Sequence, residues 1–173
     1  VADFTDLLHE LHPDAPHVEA AAIASVARWL VELPPAQSEA LLQARLGRLQ
    51  ELRDLAVDPD WGLEPALARR IYRLLDYVSQ PRDLIPDDLP RVGRLDDALL
   101  VELAWPAFRD QSLDYGDFCD FRRDEQPRGS AAERRQAWEN TRLAELALLQ
   151  QRRDIRSRPY AGGQPLQALF RVS

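Results

Sequence analysis

The chain contains no lysine, and a single cysteine, Cys119, among its 173 residues. One cysteine excludes an internal disulfide and a thiolate metal cage, and a thiol-poor sequence fits the cytoplasm. Its first residues, Val1-Ala-Asp-Phe-Thr-Asp6, lack the basic and apolar regions of a secretory leader. No stretch approaches the ~18–20 apolar residues that span a bilayer. Missing too are a glycine-rich phosphate cradle, a serine-hydrolase elbow and a dinucleotide fingerprint. No apolar–polar alternation of sheet type and no internal repeat is present. The formal net charge of -7 argues against a general nucleic-acid binder, which needs a positive face toward phosphate.

What remains is helical patterning from end to end. The length fits a single domain spanning residues 1–173, with 45% hydrophobic and 29% charged residues. Phe4 to Leu11 reads as a short helix closed by Pro13. Val18, Ala22, Val26, Trp29 and Leu33 share one helical face, stopped by Pro34-Pro35. Leu42, Leu46, Leu49 and Ala56 mark a third helix, followed by a turn at Asp58-Pro-Asp-Trp-Gly62. Leu67, Ile71, Leu74 and Val78 form a fourth stripe. Leu95 to Phe108, apolar on most of its circumference, reads as the central helix, kinked or ended by Pro106. Asp110 to Glu125 is acidic and aromatic, a short helix or a packed loop. Ser130-Ala-Ala-Glu133 is a capping box that opens a long last helix through about Arg156; residues 158–173 form a tail. The expected fold is all-α, a compact bundle of about six helices with the four tryptophans as core anchors.

Between the fourth and central helices, residues 77–97 pack three prolines, one glycine and five aspartates. Each proline fixes its own φ and pushes Gln80, Ile85 or Leu89 toward extended backbone. Gly93 is the expected site of a positive φ. Leu84, Ile85, Leu89 and Val92 suggest a loop that plugs into the core. Asp96 and Asp97 fall in the first turn of the central helix, where carboxylates accept unpaired N–H groups. The run Pro81, Asp83, Leu84, Ile85, Pro86, Asp87, then Pro90, Gly93 and Leu95-Asp96-Asp97, resembles the hallmark of the bacterial YkvA-like family, a domain of unknown function. The resemblance covers about residues 63–108. It departs from the family pattern at Asp88 and Arg94. It implies a helical fold and carries over no catalytic residue; membrane association, seen as a feature of some relatives, is put in doubt here by Glu102 and Trp105-Pro106.

Two chemistries compete for the loop. Its aspartates serve as caps and turn-formers, or Asp83, Asp87, Asp96 and Asp97 converge as oxygen ligands for Mg²⁺ or Ca²⁺, or as an acid/base pair, in a metal-binding protein or metal-dependent enzyme. The spacing is not that of an EF-hand. His9, His12 and His17 cluster near Glu10, yet their spacing and Pro13 break the zinc-protease pattern. Acidic neighbours leave Cys119 a small hydrophobe rather than a nucleophile. Residues 1–127 hold 25 acids and 13 arginines, whereas residues 128–173 hold 4 acids and 9 arginines. That asymmetry reads first as a basic last helix docking on the acidic remainder, and second as Arg134, Arg135, Arg152, Arg153 and Arg156 contacting an acidic partner or nucleic acid. The expected function is a non-enzymatic interaction or scaffold protein, homo-oligomeric or bound to another protein, with no cofactor.

Overall fold

A computed structural model describes residues 2–80, 84–86 and 88–157, with side chains through Asp154. Pro81, Asp83, Asp87, the side chain of Arg156 and the tail at 158–173 lie outside the described residues. The described chain is all-α. It is organised as two compact units that meet in sequence between Gln126 and Pro127.

The first unit contains α1 (Ala2–Leu11), α2 (Ala20–Glu32), α3 (Pro35–Leu46), α4 (Arg48–Val57), α5 (Pro65–Val78), α6 (Leu95–Ala104), a 3-10 turn (Trp105–Ala107) and α7 (Arg109–Glu125). The core helix is α6, which packs against α1, α3 and α5. Leu95, Ala98, Leu100, Val101 and Ala104 are all buried on it, so most of its circumference is apolar because neighbouring helices pack on it. Pro106 has no N–H to continue the ladder, and α6 gives way to the 3-10 turn there. Glu102, the one acid that interrupts the apolar run, points outward and pairs with Arg45 at 3.4 Å and Arg48 at 2.8 Å.

Three expectations are corrected. The third helix is two, because the hydrogen-bond ladder is interrupted at Gly47; α3 then packs on α6, while α4 packs on α5 and α7. Asp110 to Glu125 belongs to a full helix, α7, whose one buried side chain is Phe118. On α2 the buried residues are Ile23 and Leu30, and Trp29 is 50% exposed rather than a core anchor. Trp61, by contrast, is 1% exposed, its ring centroid 5.6 Å from that of Tyr115 in an edge-to-face contact and 5.5 Å from that of Phe118.

The second unit is built on α8 (Ala131–Ser157), 27 residues long. Its start is the expected capping box. Ser130 N–H donates to the Glu133 carboxylate at 2.7 Å, and Glu133 N–H donates to Ser130 Oγ at 3.3 Å. Among the described residues no helix is long and apolar enough to cross a membrane.

Candidate functional site

The proline–aspartate loop begins where α5 ends at Val78, capped by Ser79. From Pro86 onward it is a chain of turns: Leu89 N–H donates to Pro86 O, Gly93 N–H to Leu89 O, and Leu95 N–H to Val92 O. The positive φ values fall on Arg91 (72°) and Arg94 (64°), not on Gly93. Left-handed backbone is disfavoured for a residue with a Cβ by about 1–2 kcal/mol, so both arginines are held there by their surroundings. The Arg91 guanidinium donates to Leu33 O, and Arg94 pairs with Asp97 at 3.2 Å. The loop is not a core plug either. Leu84, Ile85 and Val92 are half-buried, and Leu89 is 44% exposed.

Asp96 and Asp97 are fully buried at the start of α6. Asp96 does not cap its own helix. Its Oδ2 accepts the backbone N–H groups of Leu84 at 2.9 Å and Ile85 at 3.0 Å, on the far side of the loop. One carboxylate thereby ties the first half of the motif to the second and satisfies two donors that the turn leaves unpaired. Oδ1 of Asp96 is buried and has no hydrogen-bond partner among the described residues. Among the described residues no three His, Cys, Asp or Glu side chains converge on a common point.

Two hollows lie beside the loop. One of about 300 Å³ is lined by Pro35, Leu42, Leu46, Leu89, Arg91 and Arg94. The other, about 160 Å³ and mainly apolar, is lined by Trp29, Leu41, Leu42, Leu95 and Leu99, with Arg45 at its edge. Ser38 and Glu39 also line the first, where the Ser38 hydroxyl donates to Pro35 O at 2.9 Å rather than to a base. Two of the three histidines are occupied elsewhere: His9 hydrogen-bonds to Ala15 O at 3.2 Å, and His12 to Leu103 O at 3.0 Å.

A polar cluster that sequence patterning does not reveal joins the Asp58 turn to α7. Arg122 pairs with Asp58 at 2.7 Å and Asp60 at 3.2 Å, and the Tyr115 hydroxyl donates to Asp58 at 3.0 Å. Burial disfavours the Asp58 charge, but the bonds from Arg122, the Asp60 N–H and Tyr115 outweigh it and hold the carboxyl below its ordinary value. Burial, together with Cys119 and the Asp58 charge, pushes the Tyr115 hydroxyl up. Cys119 lies 3.5 Å from the Arg122 guanidinium and is half-buried. The one local signal for this cluster is the Asp-Pro-Asp turn; its arginine partner lies 64 residues away.

On α8 the structure places Arg134 and Arg135 near the capped end and Arg152 and Arg153, both exposed, near the other. Between them, every described residue from Leu143 to Asp154 is exposed. Four are leucines: Leu143 at 65%, Leu146 at 58%, Leu148 at 56% and Leu149 at 53%. Comparison of the chain with protein-family models, with curated proteins and with solved structures yields no match.

Proposed function

We propose that this chain is a YkvA-like protein of the bacterial cytoplasm that works by holding another protein chain rather than by catalysis. The observation that carries the reading is the second half of α8, exposed on all sides while carrying four leucines. A helical segment of that length gains little net stability from its own hydrogen bonds in water. Clustered apolar side chains on a water-facing helix mark a contact surface. The family assignment rests on the motif residues, and the bond from Asp96 to Leu84 and Ile85 supports the motif as one physical unit.

A photo-crosslinking residue at Leu143 of the full chain tests the interaction in the cell. Adducts are expected there and not at Gln37, an exposed control on α3. Equal, background yields at both positions would sink the reading.

A second reading, a divalent cation held by Asp83, Asp87, Asp96 and Asp97, is favoured by one fact: Oδ1 of Asp96 is buried and has no partner among the described residues. A melting temperature that rises with Mg²⁺, Ca²⁺ or Mn²⁺, and no longer does so in Asp96→Asn, supports it. No rise at millimolar metal removes it.

A further inference from the structure

We infer that α8 pairs with α8 of a second copy of this chain, antiparallel, about a two-fold axis passing beside Leu146. The inference rests on the interaction reading above and names the partner. At about 100° per residue, Glu139, Leu143, Leu146, Gln150 and Arg153 follow one narrow stripe along α8, with spacings of four, three, four and three. Leu143 and Leu149 lie on opposite sides of Leu146, each about 60° around the helix. The two ends of the stripe carry opposite charges, a carboxylate at Glu139 and a guanidinium at Arg153, about 21 Å apart along the axis.

That charge order is self-complementary in one orientation only. With a second α8 laid antiparallel, each residue meets the one equally far from Leu146 on the opposite side. Leu146 meets Leu146, Leu143 meets Leu149, and Glu139 meets Arg153 at both ends by symmetry. Arg142 then faces Gln150, and Arg152 faces Asn140, so no like charges are forced together. A parallel pair would instead set Glu139 against Glu139 and Arg153 against Arg153, which is destabilising. Glu139 is already positioned by Arg135 at 3.3 Å, and the Arg142 guanidinium is drawn over the Trp138 ring at 5.1 Å. An acidic peptide would meet Glu139 and Glu145 on this helix as well as its arginines. A second copy matches both signs in register. The stripe is short, so the contact belongs to the small, reversible class of interfaces.

Sedimentation of the full chain over a wide concentration range should show the mass rising from one chain to two. Leu146→Gln should abolish the rise. Glu139→Arg and Arg153→Glu should each weaken association about tenfold or more, and the double substitution should restore it. Register is read by disulfides in a Cys119→Ser background. Leu146→Cys should crosslink to itself, whereas Glu139→Cys should crosslink only when mixed with Arg153→Cys. Self-crosslinking of Glu139→Cys alone, or a mass of one chain at every concentration, overturns the antiparallel pair. One-chain mass with Leu143 adducts to a different protein overturns self-pairing and leaves the interaction reading standing. One-chain mass with no adduct overturns both.

Discussion

Asp96 reaches back twelve residues to Leu84, its Oδ2 accepting the Leu84 N–H at 2.9 Å and the neighbouring Ile85 N–H at 3.0 Å. The loop is thus closed by a side chain from the helix that follows it. Asp96→Ala leaves two donors without an acceptor in a part-buried turn and should destabilise the first unit by about 3 kcal/mol. The melting temperature should fall by roughly 6–12 °C. Asp96→Asn retains a carbonyl oxygen for both donors and should lose only about 1 kcal/mol. Equal losses for the two variants in thermal melts would argue against the bond as the loop's closure.

Asp58 gives the fold an acid limb. Its carboxyl is held below the ordinary value of 3.8 in the folded chain. A group depressed in this way stabilises the fold above its ordinary value, and the contribution is lost as pH falls through the folded value. Melting temperature should therefore hold from neutrality down to about pH 4.5 and drop below about pH 4. Glu64 and Glu133, held low chiefly by backbone N–H groups, titrate in the same direction. The difference between the native chain and Asp58→Asn isolates the Asp58 share; identical acid limbs would show that the Arg122 bond contributes nothing.

Gln126 closes α7 in left-handed backbone, with φ of 46° and ψ of 52°. It is exposed, and a glycine adopts that conformation without a Cβ clash. Gln126→Gly should stabilise α7 by about 1 kcal/mol, whereas Gln126→Val should destabilise it. Urea midpoints of the two variants should move in opposite directions.

Trp61 is 1% exposed between the Tyr115 and Phe118 rings. Trp61→Ala leaves a cavity against the middle of α7 and should destabilise by about 3–5 kcal/mol. A shift of under 1 kcal/mol in a urea titration would mean that the surrounding rings collapse to fill the space.

How much of this is legible in the sequence depends on where each contact's partner lies. The stripe of α5 is readable because Leu67, Ile71 and Leu74 recur at helical spacing against polar neighbours, and Ile71 and Leu74 are indeed fully buried. The phase of α2 is not readable. Alanines and aliphatics occupy most of its circumference, so periodicity cannot choose between Trp29 and the Ile23–Leu30 face. The break at Gly47 is equally hidden, because the leucines continue at helical spacing on both sides of it. In the loop, three prolines make its constrained shape predictable, but the bond that closes it joins a carboxylate to backbone donors, which carry no sequence signature. For the same reason Gly93 draws the eye as the left-handed residue, while that backbone falls instead on Arg91, bonded to Leu33 O, and Arg94, paired with Asp97.

The capping box of α8 has a consequence for engineering. Ser130 and Glu133 close the helix with their own atoms, so the angular phase of every later residue is counted from that point. A residue inserted before Ser130 leaves the leucines in the same orientation relative to the cap. One inserted between Glu133 and Leu143 turns them all by about 100°. The cap works as a zero mark from which the leucine face can be rotated without altering its composition.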